Sequence, residues 1–253
     1  MQILLTNDDG IYAPGLEALQ TELSRLDDVM VVAPALEQSG VSHTITYLEP
    51  LLAREVFRDG RLVGRAVSGT PADCVRLAML EYFKTPPDLV VSGINAGANA
   101  GINVLYSGTV AAAIEGAFYG VTSVAVSLSE SELSDHAVAA RLAVRVIEQL
   151  LDGAPQGSLW NLNLPALKPG WPLGVKTVPM SLERYREVVD RRIDPRNRPY
   201  YWICTDPRGG HVIEPDTDVE GLEEGYMTLT PLFFDLNHHR LLGEYKGRSW
   251  SLS

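Results

Sequence analysis

The run Ile3-Leu4-Leu5-Thr6-Asn7-Asp8-Asp9-Gly10 opens the chain with a short apolar stretch that ends at once on two adjacent carboxylates and a glycine able to turn the backbone. Acids at the carboxyl end of a strand stand where open α/β sheets bind their ligands. Two together repel each other unless a cation or a shared proton neutralises them. Taken alone, an Asp-Asp-Gly also serves as a cap or a turn, so its meaning depends on what the rest of the chain delivers to the same edge.

Beyond Gly10, helical and strand patterns alternate. Leu16, Leu19, Leu23 and Leu26 recur at helical spacing, and Val29 to Ala33 is a continuous apolar run suited to a strand buried on both faces. Beyond the Ser39-Gly40 loop and an alternating segment from Thr44 to Leu48, two strands are expected over Leu52 to Phe57 and Leu62 to Val67. Asp59-Gly60 between them is a hairpin turn signal. Thr70 and Pro71 suit the cap and first turn of a helix. Leu89 to Ser92 reads as a strand and Gly93 to Ser107 as a loop without periodicity, of a length that compact domains keep for function. A helix from about Gly108, a strand over Val121 to Leu128 and an amphipathic helix over His136 to Leu151 complete a core assigned to residues 1–155.

Over residues 156–253 proline and glycine become frequent and short strands, Leu159 to Leu164 and Leu173 to Val178, replace helices. Arg184, Arg186, Arg191, Arg192, Arg196 and Arg198, interleaved with acids and followed by Tyr200-Tyr201-Trp202-Ile203, read either as a hairpin arm at about residues 180–205 or as a solvated loop. The 253 residues suffice for a core without staples, since roughly three quarters of the unfolded surface is buried at this size. Cys74 and Cys204 stand far apart and outside any metal-ligand spacing, which fits free thiols in a reducing compartment. No stretch approaches a membrane span and the first residues lack signal-peptide features, so a cytoplasmic location is expected. A net charge of −11 argues against nucleic-acid backbone or anionic lipid as partner.

Three strand ends would bring Asp8 and Asp9, Ser39 and Asn95 to one edge. Two carboxylates, a hydroxyl and an amide carbonyl form a hard, incomplete oxygen shell suited to Mg²⁺, Mn²⁺ or Ca²⁺. Ser107, Gly108 and Thr109 begin a small-residue helix, where free N–H groups and the dipole favour a phosphate; an ordinary cap is the plainer use of the same residues. A Walker loop and a dinucleotide fingerprint are both missing from the sequence, which removes ATPase and dehydrogenase readings. His43, flanked by β formers, and His238-His239 are not read as ligands.

Read together, residues 3–10 with Ala13-Pro14-Gly15, Val32-Ala33-Pro34 with Ser39-Gly40, Gly69-Thr70-Pro71-Ala72-Asp73-Cys74-Val75, residues 91–99 and Tyr106-Ser107-Gly108-Thr109-Val110 resemble the SurE family of stationary-phase survival nucleotidases. The resemblance continues more loosely through Asp216-Thr217-Asp218 and Glu224-Gly225-Tyr226 to Thr230-Pro231-Leu232. It implies a Rossmann-like three-layer α/β sandwich with a mostly parallel sheet, whose C-terminal β-hairpin arm and tail, the arm swapped between subunits, build homodimers or homotetramers. It also implies hydrolysis of nucleoside 5′- and 3′-monophosphates with one Mn²⁺ or Mg²⁺ per subunit. Carried over, Asp8, Asp9, Ser39 and Asn95 hold the metal, Asn95, Ser107, Gly108 and Thr109 hold the phosphate, and Asp8, Asp9, Asn95 and Ser107 are catalytic. The proton for the leaving group is left among Asp8 or Asp9, a metal-bound water and His43. A polyphosphate or general phosphate-ester phosphatase, and a nucleotide-binding module without turnover, are the alternatives that the same residues allow.

Overall fold

The computed structural model describes residues 1–129, 135–184, 187–205 and 213–252. In chain order the elements are β1 (Gln2–Thr6), α1 (Pro14–Leu23), β2 (Asp28–Pro34), β3 (Ala53–Arg58), β4 (Arg61–Val67), α2 (Pro71–Leu77), β5 (Leu89–Ala96), α3 (Gly108–Phe118), β6 (Thr122–Leu128) and α4 (His136–Leu151). They continue with β7 (Leu159–Leu164), β8 (Val175–Thr177), β9 (Glu187–Ile193), β10 (Pro199–Thr205), α5 (Asp218–Glu223), β11 (Met227–Leu232) and α6 (His239–Tyr245).

Among the described residues nine strands form one sheet in the order β3-β4-β2-β1-β5-β6-β7-β11-β8. From β4 to β7 every pairing is parallel, whereas β3 joins β4 and β11 joins β7 antiparallel. The chain leaves β1 toward β2 on one side and returns to β5 on the other. The crevice between the carboxyl ends of β1 and β5 is therefore the topological switch point of the sheet.

Strand periodicity builds three layers. Ile3 and Leu5 face a core shared with Leu16, Leu19 and Leu23 of α1 and Ala140, Ala143 and Ile147 of α4. Leu4, between them in sequence, faces the opposite side with Val32, Val90, Cys74 and Val75 of α2 and Ala112 of α3. Both faces are covered by helices, which is why the central strands read as unbroken apolar runs. Thr70 caps α2 in a reciprocal box: its side chain accepts from Asp73 N at 3.2 Å while Asp73 accepts from Thr70 N at 3.1 Å. The Asp59-Gly60 turn has both residues at positive φ, as a two-residue hairpin requires.

The structure departs from the sequence reading at three places. Residues 44–48 carry no strand, because the segment is held by Thr46 N on Asp73 and Thr70 Oγ1 on Thr44 O instead of by a ladder. The segment expected as a loop after Ser92 is partly ordered: β5 runs on to Ala96 across a register shift between Ser92 and Asn95, and a 3₁₀ turn spans Gly101–Tyr106. Local sequence hides this, because glycine and asparagine signal a loop whether or not a neighbouring strand offers hydrogen bonds. The strand expected over Leu173 to Val178 shrinks to three residues at the sheet edge. The arginine-rich segment forms β9 and β10, an antiparallel pair with no other strand partner among the described residues, while Arg186 lies outside them.

Candidate active site

The turn after β1 is built by Asn7, whose Oδ1 accepts from Gly10 N at 3.2 Å while its Nδ2 donates to Gly10 O at 2.9 Å. Gly10 sits at φ +96°, a conformation that a side chain would strain. This closed turn lifts Asp8 and Asp9 onto the carboxyl rim. Gln38 N donates to Asp8 O at 2.8 Å, so the loop after β2 is stitched to the same turn and Ser39 follows directly. From the other side, Ala96 N donates to Asp9 Oδ2 at 3.3 Å, which brings the end of β5 and Asn95 alongside.

Three elements thus converge at the switch point, and each candidate ligand has one group already oriented by the protein. Asn95 Nδ2 donates to Gly97 O at 2.7 Å, which leaves Oδ1 as its free coordinating atom. Ser39 is exposed and its hydroxyl donates to Glu37 Oε1 at 2.7 Å, keeping oxygen lone pairs available. Asp8 is 4% exposed and accepts from Thr109 Oγ1 at 2.6 Å. Burial, with the neighbouring Asp9 charge adding to it, pushes the Asp8 carboxyl up to about 6 despite the Thr109 bond. Burial likewise raises Asp9, and nearby Glu37 adds to the shift while the amide of Ala96 and His136 oppose it. Among the described residues neither carboxylate has an Arg, Lys or His within ion-pair distance.

A buried and a half-buried acid side by side without an ion-pair partner among the described residues are costly, and the donor set says what relieves the cost. All four candidate ligands offer oxygen, and none is the nitrogen or sulfur that a softer ion prefers. The residues fit a hard divalent cation that keeps positions for water and a substrate oxygen.

The N-terminus of α3 abuts this pair. Ser107 caps it, its Oγ accepting from Val110 N at 3.1 Å, so the hydroxyl hydrogen remains available for an anion. Gly108 is there for space: a Cβ would lie 3.0 Å from Asp8 Cβ and 3.3 Å from Asp8 Oδ2. Thr109 is fully buried, and its hydroxyl hydrogen is spent on Asp8, which leaves its backbone N–H as the group a phosphate can use.

A residue that sequence reasoning passed over organises the far wall. Asn99 donates Nδ2 to Ser127 Oγ at 2.8 Å and to Thr109 Oγ1 at 3.4 Å. Its backbone N–H donates to Asn163 Oδ1, and its carbonyl accepts from Asn161 and Asn163. A chain of hydrogen bonds therefore runs from β7 through Asn99 and Thr109 to Asp8. The alternating polar positions Asn161 and Asn163 inside an otherwise apolar strand are the sequence signal that could have found it. His43 follows Ser42, whose N–H donates to Tyr106 O at 3.0 Å; its own Nε2 lies 2.8 Å from Glu115 Oε2 and its ring stacks on Phe118. His239 pairs with Asp235 at 2.7 Å, and His238 caps α6.

A family model described as "Survival protein SurE" matches residues 3–187. The chain belongs to the SurE family. It is 53% identical over 260 residues to a 5′-nucleotidase SurE of Rhodopirellula baltica, covering 100% of this chain and 99% of that protein. A 5′-nucleotidase SurE of Syntrophus aciditrophicus is 45% identical over 247 residues, covering 97% of this chain and 93% of that protein. The crystal structure of the SurE protein from Aquifex aeolicus superposes with a TM-score of 0.85 at 37% identity, covering 97% of this chain and 98% of that one. The SurE fold is thus shared along nearly the whole chain, beyond the residues that the family model matches.

Proposed function

We propose that the chain is a 5′-nucleotidase, a metal-dependent phosphomonoesterase that hydrolyses nucleoside 5′- and 3′-monophosphates to nucleoside and phosphate. The observation that carries this is the buried Asp8 beside the half-buried Asp9, neither ion-paired among the described residues, facing the capped N-terminus of α3 at the switch point of a SurE fold. Asp8, Asp9, Ser39 and Asn95 would hold one divalent cation per subunit, Mn²⁺ or Mg²⁺, which when bound would supply Lewis-acid chemistry toward the phosphoryl group and water.

The protein's own share is placement and charge. Ser107 Oγ donates to an equatorial phosphoryl oxygen, and the backbone N–H groups at Gly108 and Thr109, with the dipole of α3, receive the charge that spreads over these oxygens during in-line attack. Asn95 fixes the angle of approach through its amide, pinned on Gly97. Thr109 and Asn99 hold Asp8 in one orientation, so no reorganisation is needed as the reaction proceeds. The catalytic set is Asp8, Asp9, Asn95 and Ser107. The bond of His43 to Glu115 leaves the leaving-group proton to an Asp8 or Asp9 carboxyl or to a bound water.

We further propose a cytoplasmic homodimer, with a tetramer as the higher assembly, whose β9-β10 arm and C-terminal tail dock on a second copy. Trp202 at 57%, Ile203 at 70%, Phe233 at 73% and Leu236 at 88% exposed are too apolar to face water without a partner. Light scattering on Ile203→Asp, expected to shift the mass toward the monomer, tests this. Among the described residues no helix is long and apolar enough to cross a membrane.

The activity is tested by stripping metal and measuring phosphate released from AMP, 3′-AMP, an aryl phosphate and polyphosphate, with and without Mn²⁺ or Mg²⁺. Metal-restored release that is strongest from the nucleotides supports the reading. Preference for polyphosphate reassigns the substrate, and nucleotide binding without release from any ester removes the enzyme.

A further inference from the structure

The motif Asp216-Thr217-Asp218 has no part in the site described above, yet it ends on a buried charge. Asp218, the first residue of α5, is fully buried and has no ion-pair partner among the described residues. Burial raises its carboxyl, against the pull of the N–H groups around it. Its two oxygens divide three backbone donors between them. Oδ2 accepts from Gly101 N at 2.8 Å, and Oδ1 accepts from Ser181 N and Val219 N, each at 2.9 Å. Gly101 and Ser181 lie 117 and 37 residues away in sequence, so one side chain gathers three separate segments. A carboxylate can accept on both oxygens at once, which no neutral side chain of this size does.

One of those segments leads to the candidate active site. Gly101 opens the 3₁₀ turn Gly101–Tyr106, which has six residues where such turns seldom sustain more than three or four on their own bonds. Support comes from outside at both ends. Asp218 holds the start, and at the end the carbonyls of Leu105 and Tyr106 accept from Ser42 Oγ at 2.7 Å and Ser42 N at 3.0 Å. Gly101 sits at φ +59°, and a Cβ there would lie 3.3 Å from both Ser181 O and Val219 Cγ2, so the turn starts in contact with the segments that Asp218 gathers. The residue after the turn is Ser107, the cap of α3. At about 2 Å of rise per residue, Gly101 stands roughly 12 Å from it. The candidate metal ligands hang on other bonds: Asp8 O on Gln38, Asp9 on Ala96 and Asn95 on Gly97.

We propose that Asp218 is a positioning residue of the phosphate site: through Oδ2 it fixes the turn that delivers Ser107 to the start of α3, while Oδ1 serves the base of the β9-β10 arm at Ser181. It acts from outside the site, through the backbone of Gly101 and without contact with any candidate metal ligand. The proposal rests on the nucleotidase reading above, since it takes Ser107 as a phosphate donor.

Asp218→Asn separates the two jobs. The single oxygen of asparagine can keep Ser181 N and Val219 N, and its NH₂ then faces Gly101 N, donor against donor. At saturating Mn²⁺ the inhibition constant of inorganic phosphate is expected to rise about tenfold, the scale of one hydrogen bond to a charged group, and kcat/KM for AMP to fall about 10–100-fold, the scale of an ångström of misplacement. Calorimetric Mn²⁺ affinity is expected to stay within about twofold of wild type, because the metal ligands are held elsewhere. Glu214→Ala frees Ser181 Oγ and Leu182 N at the base of the arm and leaves Gly101 bound, so it is expected to change the phosphate constant by less than about twofold. An unchanged phosphate constant in Asp218→Asn overturns the proposal, as does an equal loss of Mn²⁺ affinity or an equal effect of Glu214→Ala, either of which marks a general loosening. Hydrogen exchange on the wild type decides the matter if Asp218→Asn does not fold. Phosphate that binds only the ordered turn must slow exchange of the Gly101–Tyr106 amides about tenfold at ten times its dissociation constant, in the presence of Mn²⁺, and unaltered exchange overturns the proposal. A wild type that neither binds inorganic phosphate nor releases it from AMP overturns the nucleotidase reading itself, a result distinct from all of these.

Discussion

Thr109→Val separates two roles for one hydroxyl. Sequence alone places Thr109 with Ser107 and Gly108 as a phosphate group, whereas its side chain donates at 2.6 Å to the buried Asp8 carboxylate. Valine keeps the shape and removes the donor. A hydrogen bond to a charged group contributes about 1.5–3 kcal/mol net, and loss of a partner that orients a metal ligand costs roughly 10–100-fold in metal affinity or activity. The two scales agree, since about 1.4 kcal/mol is tenfold. Asn99 loses only a 3.4 Å contact and keeps its 2.8 Å bond to Ser127, so the wall behind Thr109 stays in place. Mn²⁺ affinity, measured calorimetrically well above the value of about 6 of Asp8 so that protons do not compete, is expected to fall 10–100-fold. At saturating metal the KM for AMP is expected to stay within about twofold. The reasoning is refuted if Mn²⁺ affinity is unchanged while KM for AMP, or the inhibition constant of inorganic phosphate, rises tenfold.

Asp8→Asn retains the acceptor for Thr109 and removes the buried charge, so phosphate release should fall by at least about a thousandfold, on the scale of losing groups that stabilise transition-state charge, with no drop in the melting midpoint of the metal-free protein. Gly93→Ala puts a Cβ 2.2 Å from Val126 O at φ +142°, which should cost about 3 kcal/mol or more and lower the melting midpoint by roughly 6–12 °C. A variant that melts with wild type would mean that β5 can move away from β6 at little cost. Cys74 is buried, with burial pushing its thiol well up, and Cys204 is exposed. A thiol reagent should therefore find at most one reactive cysteine in the native protein and two after denaturation, and rapid modification of Cys74 would contradict its packing.

The parts of the fold that were legible share a physical cause. β1, β2 and β6 are packed on both faces, so their apolar runs admit no competing periodicity, and α4 begins and ends where its amphipathic pattern does. The convergence of the segments carrying Asp8 and Asp9, Ser39 and Asn95 was legible for a related reason, since three strand ends need only a parallel sheet to meet at one edge. What the sequence could not convey is where a hydrogen bond goes when several partners are within reach. Residues 44–48 alternate like a strand, yet Asp73 and Thr70 take their backbone groups and no ladder forms.

Thr109 shows the limit most clearly. At the start of α3 its neighbours and spacing fit a phosphate cradle as well as they fit a cap, and both expectations concern the backbone N–H groups of a helix N-terminus. The side chain's allegiance depends instead on Gly108, the residue before it: without a Cβ at Gly108 the helix approaches until its first turn touches Asp8, and at that separation the hydroxyl reaches the carboxylate. A glycine chosen for close approach thus converts a helix start into support for the acid pair. The same approach aims the N–H groups of α3 at the position where a phosphoryl oxygen must lie if Asp8 and Asp9 hold a cation. One packing distance therefore couples metal affinity to phosphate affinity, and a side chain at Gly108 should weaken both at once, where Thr109→Val should weaken the first alone.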